Sequence, residues 1–414
     1  MPVNPVHRLA TLALVAALTV GLFPSAQAVI PSVSVKPMTL ISHLEKQKMA
    51  QGLLVKKDLI YLFGTTAGSE NSDGYVQAIS AQGEVKWTLA LDTGGDDIAT
   101  AGSFDSYGNI WIAGASAAPV TDNENEATTY NPSSALNPDS ITVVPKIPLR
   151  ADSNFVTAWL VSPKGNLLAT YSTNVGRVTL ASGISISTTT VSIVGVASTA
   201  LGSSGFLIQS TRKGIFGKIL LIGKRDTEIN SLTRSGRNLL LFGSSSETLF
   251  GKSRAGTRDG LIATFSSSGK FISMIRSFNA NSSRSWQNGT SSFFVGGDAV
   301  AGSKIEAVVT KYATTLTPRW STRYLSAGPA MTLDFLSSHL LFFPSIGPIN
   351  GVKYWKPTKA QLLSLIVDKN GLLVGAFSFK GATSPIAVAY SRELGAVLLS
   401  QGPAGVSVFH ALTL

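Results

Sequence analysis

Residues 105–116 read DSYGNIWIAGAS. A polar turn, Asp105 to Asn109, opens onto Ile110, Trp111, Ile112 and Ala113, and Gly114 ends the run. Four mainly apolar residues after a turn, closed by glycine, recur at Ile60 to Gly64, Val191 to Gly195, Leu239 to Gly243 and Ser292 to Gly296. Two weaker copies follow. Leu340 to Phe343 meets Pro344 instead of glycine, and Ala396 to Leu399 meets Ser400. The copies stand roughly 50 residues apart, a spacing typical of repeat arrays.

A second step follows the first within each unit. DGYVQAISAQGEVKW, residues 73–87, reads as strand, glycine turn at Gly83, strand. DGLIATFSSSGKFIS, residues 259–273, matches it with its turn at Gly269. Units two, three and six turn at Gly165, Gly214 and Gly371; unit five has Leu316 at that point. The glycines suit positive-φ turn positions, and Asp or Asn helps close the turns. Each unit is therefore four short strands. Near-continuous apolar runs such as Leu239 to Phe242 imply burial on both faces. A lone four-stranded sheet cannot cover both faces, whereas sheets stacked around an axis can. The sequence predicts an all-β chain with a single β-propeller of seven four-stranded blades. Six or eight blades stay open, because the later units are eroded. The last unit supplies three strands, 386–390, 397–399 and 406–412, and the segment 33–41 is expected to complete that blade and close the ring.

GGDDIATAGSFDSYGNIWIAGAS and DGYVQAISAQGEVKW resemble the repeat of bacterial secreted β-propellers of the SBBP type. That repeat has an Asp-turn-Gly-Asn step before its second strand and an Asp-Gly step before its third. The GEVKW ending also faintly resembles the quinoprotein-type propeller repeat. The resemblance implies an architecture and carries no catalytic residues across, since one fold hosts many functions.

The chain has 414 residues, 14% of them charged, and no cysteine. Disulfides, thiolate metal sites and cysteine nucleophiles are excluded. Residues 1–28 read as a signal peptide: Arg8, an apolar stretch over 9–23, and Ala26-Gln27-Ala28 as the cleavage pattern. An uncleaved anchor is the alternative. The propeller is expected over 29–414, exported to an extracellular, periplasmic or cell-surface location, as a monomer with no later membrane span. Residues 119–152, rich in Pro and acidic residues, interrupt unit two as an insertion, either a partner-contacting loop or a decoration.

The formal charge of +11 has two readings. One is dispersed Lys and Arg that only keep the protein soluble, favoured by the lack of any long basic run. The second is attraction to anionic counterparts, namely wall polymer, acidic polysaccharide, lipid headgroups or stray nucleic acid. A protein partner is the other expectation, and no nucleic-acid motif is legible. Candidate contacts are Arg212, Lys213, Lys218, Lys224 and Arg225 in unit three, with Arg254 and Arg258 ahead of unit four's third strand. Asp92, Asp96 and Asp97 could offer oxygen ligands to a hard cation, although their spacing is not that of an EF-hand and also suits a blade-to-blade turn. His43, His339 and His410 are expected in separate units, so no histidine cluster with metal spacing is read. Asp334, Ser337, Ser338 and His339 are triad ingredients confined to one strand-turn segment, and no nucleophile elbow occurs. Trp87 and Trp320 share a last-strand position and read as inter-blade packing. Gly251-Lys252-Ser253 lacks the first glycine of a phosphate loop. No cofactor is implied. The leading reading is a binding or scaffold module of the cell envelope. An enzyme with a central-channel site, quinoprotein-like or polysaccharide-cleaving, is the second, and a self-associating surface component the third.

Overall fold

The computed structural model describes residues 32–67, 71–117 and 153–410. It contains six four-stranded sheets and one six-stranded mixed sheet. Blade one is Lys48–Lys56, Leu59–Ala67, Ser72–Ser80 and Val85–Leu91; blade two is Asp97–Phe104, Ile110–Ser116, Phe155–Val161 and Leu167–Asn174. Blade three is Thr179–Ile186, Thr190–Thr199, Gly202–Thr211 and Leu220–Ile222; blade four is Thr227–Ser235, Asn238–Ser245, Asp259–Ser266 and Phe271–Ser277. Blade five is Ser283–Gly289, Phe294–Ala301, Lys304–Tyr312 and Pro318–Leu325. Blade six takes Met331–Phe335, Ser338–Ser345, Gln361–Val367 and Leu373–Ser378; blade seven takes Ser384–Ser391, Gly395–Gly402 and Gly405–His410. The chain is a seven-bladed β-propeller.

The recurrent apolar runs fall in the second strands of their blades, buried on both faces as Ile110–Ser116 is throughout, except that in blade five Ser292 and Phe293 belong to the preceding turn and the strand begins at Phe294. Adjacent sheets supply the cover. Tyr61, Phe63 and Val76 of blade one pack with Ile110, Ile112 and Trp159 of blade two. Leu53 and Ile60 pack with Val397, Leu399 and Val408 across the seam between blades one and seven.

The glycine that ends the run answers to its neighbour strand. The first strand of blade two shifts register between Ala99 and Ala101, leaving Thr100 as a bulge opposite Gly114. A Cβ on Gly114 would stand 1.7 Å from the Ile98 carbonyl oxygen. The same collision awaits a side chain at Gly64, Gly195 and Gly243. In blade five the equivalent residue is Gly297, one beyond the expected Gly296. Blade six pairs its first two strands without a shift, and there Pro344 stands in the run.

Bulge residues also tie blade to blade. Thr100 Oγ1 donates to the Ala181 carbonyl at 2.6 Å, and Ser182 Oγ donates to the Ile229 carbonyl. Asn230 Nδ2 donates to the Trp286 carbonyl at 2.9 Å. Each acceptor is the residue just before the next blade's bulge. Hydrogen bonds of this kind contribute about 1 kcal/mol each.

Closure needs one correction. The segment 33–41 does not act as a single strand. Thr39–His43 pairs antiparallel with Gly405–His410 and completes blade seven. Val33–Pro37 instead runs parallel to Leu373–Ser378 on the edge of blade six, and Val352–Lys353 pairs with its other side. One short segment thus covers two sheet edges that would otherwise be open to misassociation. His43 and His410 share this blade, at opposite ends of the same strand pair. The signal-peptide residues and the 119–152 insertion lie outside the described residues.

Candidate binding face

The antiparallel order gives the ring two unlike faces. One, here called the turn face, gathers the tight turns between first and second strands and between third and fourth strands. The other, the crossover face, gathers the second-to-third connections and the passages between blades.

On the turn face, the stretch at 105–109 forms a closed polar unit. Asp105 Oδ1 accepts from the backbone amides of Tyr107 and Asn109, both at 2.9 Å. Asp105 Oδ2 accepts from Asn109 Nδ2, and Arg212 from blade three's turn forms an ion pair with it. The Arg212 guanidinium also lies 5.3 Å from the centre of the Tyr107 ring. Burial pushes the Asp105 carboxyl up, but the Asn109, Trp111 and Tyr107 donors outweigh burial and hold it low.

The triad ingredients resolve differently from their order in sequence. His339 Nδ1 lies 3.0 Å from Asp334 Oδ1, and Ser292 Oγ donates to the same oxygen at 2.6 Å. Lys311 Nζ donates to the Ser292 carbonyl and stands 3.0 Å from its hydroxyl. Serine and histidine both bond the one carboxylate oxygen and not each other, so the serine-to-histidine link of a triad is not formed. The network instead pins the 290–293 turn, where Phe293 has φ 64°, against blade six. Ser337 and Ser338 take no part in these bonds, whereas Ser292 and Lys311, contributed by blade five, do. No local sequence signal links those two to Asp334.

The predicted basic cluster divides between the faces. Arg212 and Lys213 sit in a third-to-fourth strand turn, whereas Lys224 and Arg225 sit in the passage to blade four. Lys213, Lys218, Lys224 and Arg225 are exposed. Arg212 is ion-paired, as described. Arg258 pairs with Asp226, and its Nη2 lies 3.1 Å from Glu228 Oε2, a charge contact without hydrogen-bond alignment. Arg254 Nη1 donates to the Thr257 carbonyl at 3.1 Å. Five of the seven candidates, Arg254 included, are therefore exposed without an ion pair among the described residues and free to meet a partner through their charge.

The crossover face ties down most of its acids. Glu247 accepts from the amides of Lys224, Arg225 and Asp226 and from Thr227 Oγ1. Burial raises the Glu247 carboxyl, but these donors outweigh it and bring the pKa down to about 2. Asp259 accepts from Ala255 and Gly256 amides and pairs with Arg276 at 3.1 Å. Asp97 accepts from Thr93 and Ser116, Asp96 Oδ1 accepts from the Ser72 amide, and Asp92 Oδ1 accepts from the Gly94 amide. Asp92 and Asp97 close their own turn, and Asp96 ties that turn to the start of blade one's third strand. Among the described residues, no group of three or more His, Asp or Glu side chains is placed to hold a metal ion. A cavity of about 420 Å³ opens at the seam of blades one and seven, where Lys48 Nζ lies 3.5 Å from Glu45 Oε2.

The phosphate-loop remnant is a tight turn, with Leu249 and Lys252 bonded to each other through their backbones. No helix follows it among the described residues. Trp87 and Trp320 do pack between blades. A Cβ at Gly165, with φ 85°, would meet the Trp87 ring at 2.5 Å, and one at Gly371 would meet Trp320 at 2.9 Å. Trp320 Nε1 also donates to the Lys369 carbonyl at 3.2 Å.

Three solved structures are similar to this chain. The Neurospora crassa Pan2 WD40 domain superposes with TM-score 0.52 at 9% identity, over 93% of this chain and 98% of that one. The WD40 domain of Toxoplasma gondii coronin gives 0.49 at 10% identity, over 92% and 89%. A Dyadobacter fermentans protein of unknown function gives 0.47 at 11% identity, over 92% and 100%. No family model matches the sequence, and no curated protein is similar to it. By its sheet order and its likeness to the Pan2 domain, the protein is a WD40-like β-propeller by fold.

Proposed function

We propose that the protein is a binding or scaffold propeller whose partner is anionic and is held by exposed cations of the turn face. One observation carries this reading. Lys57, Lys164, Lys213, Arg237, Lys270 and Lys369 all stand exposed at turns of that face. The exposed acids there are fewer, Asp58, Glu84 and Glu393, of which Glu84 pairs with Lys86, while Asp105 and Asp334 are engaged inside the protein. Such a surface reads negative charge, which wall polymer, acidic polysaccharide and lipid headgroups share. The Asp105–Asn109 and Asp73-Gly74 steps support membership of the SBBP-type secreted propellers, and with it export and cleavage after Ala28. Amino-terminal sequencing of exported protein should give Val29, and recovery of intact Met1 from membranes would reject that part.

Exposed charges act over about 8 Å at physiological salt. Retention on an anionic matrix should therefore fall as salt rises, and a K164E/K213E/K270E variant should elute earlier. Retention that survives molar salt would indicate a specific pocket and overturn the reading. So would absence of retention at low salt.

A further inference from the structure

The outer strands repeat an irregularity that the composition does not explain. In five blades the fourth strand shifts register just after the third-to-fourth turn, leaving one unpaired bulge residue. These residues are Lys86, Leu168, Ile272, Arg319 and Val374, in blades one, two, four, five and six. Every one is aliphatic or cationic. Leu168, Ile272 and Val374 are 52%, 51% and 53% exposed. Blade three reaches the same rim with Ile215, 68% exposed, in its longer turn. A bulge leaves its extra residue out of the ladder pairing, and the five bulges fall at the same step after the turn, so these half-exposed residues stand at one level around the turn-face rim.

Each rim aliphatic has a turn lysine close by in sequence: Lys164 before Leu168, Lys213 before Ile215, Lys270 before Ile272 and Lys369 before Val374. The neighbouring acids are occupied. Glu84 lies 2.7 Å from Lys86, and Asp368 closes its own turn by accepting from the Asn370 and Leu372 amides. Isolated exposed aliphatics are ordinary on protein surfaces. Recurrence of three of them at one strand position, with a fourth in the matching turn, each beside a cation, is not.

We propose that this rim docks on a lipid surface bearing anionic headgroups, with the lysines at headgroup level and the bulge aliphatics in the interfacial layer. The proposal rests on the anionic-partner reading and narrows it. A hydrated polymer gives half-exposed aliphatics no apolar phase to enter, whereas a bilayer interface does. A second copy would bring lysines against lysines. Lysines and arginines near an anionic leaflet add attraction that salt weakens.

The test is sedimentation of the protein with phosphatidylcholine vesicles, with and without phosphatidylglycerol, alongside retention on dextran sulfate. Binding is expected only to vesicles containing phosphatidylglycerol. An L168S/I272S/V374S variant should lose vesicle affinity by roughly tenfold or more, yet keep its dextran sulfate retention and its unfolding temperature. Dextran sulfate binding without vesicle binding would overturn the membrane inference and leave the anionic-partner reading standing. Absence of both would overturn the two together. Vesicle binding unchanged in the variant would remove the bulge residues from the interaction and reject the proposal.

Discussion

Arg212 in the third blade is the charge partner of Asp105 in the second, and the Asp105 side chain is fully buried in that contact. The pair joins a turn between first and second strands to a turn between third and fourth strands across one blade interface. Asp105 also holds its own turn through Tyr107 and Asn109. Removing it strips the turn of its cap and leaves Arg212, itself only 20% exposed, without its partner. Asp105→Ala should lower stability by about 3 kcal/mol, as for other broken buried pairs. Urea unfolding measures this. A loss below about 0.5 kcal/mol, the range of ordinary surface substitutions, would show that the pair does not hold the blades together.

Gly114 should tolerate no side chain. Its place is set by the Ile98 carbonyl, 1.7 Å from where a Cβ would be, and either the bulge or the second strand must move to admit one. Gly114→Ala should cost about 1–3 kcal/mol or more, the range for forced overpacking. Gly217→Ala is the control, since its nearest neighbour is Gln209 O at 3.5 Å. Equal unfolding midpoints for the two variants would refute the close-approach account.

Much of this fold was legible because propeller blades are local. The apolar run, its closing glycine and the third-to-fourth turn lie within one unit, and the chain repeats them. The residue beneath the glycine was not legible, because a bulge changes register without changing composition. Charge fared worse. Arg212 to Arg225 are close in sequence, yet a short fourth strand carries the chain from one face to the other between them. The Arg212–Asp105 pair spans 107 positions, and nothing local in either segment names the other. The rim lysines and aliphatics were open to view in PKGNLL, RKGIFGK, SGKFI and KNGLLV. What marks them as one surface is the bulge that blades two, four and six share and the longer turn that brings Ile215 to the same end of blade three, and both appear only once strands are paired.

Glu247 gives the molecule an acid-sensitive joint. Its carboxylate binds three successive amides in the passage from blade three to blade four. Folding takes its pKa from 4.5 down to about 2. A carboxyl depressed on folding stabilises above its unfolded value and loses that contribution as pH falls through the folded value. The contribution should be complete above about pH 4.5 and should fade between there and about pH 2. Comparing Glu247→Gln with the parent protein by thermal unfolding across this range should give a gap that is widest near neutrality and closes in acid. A gap independent of pH would mean that the carboxylate charge is not what holds the joint.

The closing segment should be needed for solubility as well as stability. Thr39–His43 covers the edge of Gly405–His410, and Val33–Pro37 covers that of Leu373–Ser378. Deleting residues 32–43 opens both edges, and exposed edges pair with other chains. Light scattering on warming should show aggregation well below the parent's unfolding temperature. A truncated protein that stays monomeric and unfolds unchanged would show that the ring closes without this segment.

The network of Lys311, Ser292, Asp334 and His339 is a final case in which a constellation that resembles catalytic machinery is accounted for by packing. Burial lowers the Lys311 pKa, and the Asp334 charge opposes that effect. The ammonium and carboxylate therefore depend on each other, with Ser292 between them. Asp334→Ala should be costly because it leaves a half-buried cation with only neutral partners, a loss of about 2 kcal/mol or more. Lys311→Met removes that cation while keeping most of the apolar stem. If the two residues act as a unit, adding Lys311→Met to Asp334→Ala should cost less than Lys311→Met costs in the parent. The difference, read by a double-mutant cycle, should fall within about 0.5–3 kcal/mol. Ser292→Ala should then lower stability in the parent and much less in the double variant, since the groups its hydroxyl bridges are gone. Strict additivity of all three changes would mean that the side chains act independently, and the turn at Phe293 would need another explanation.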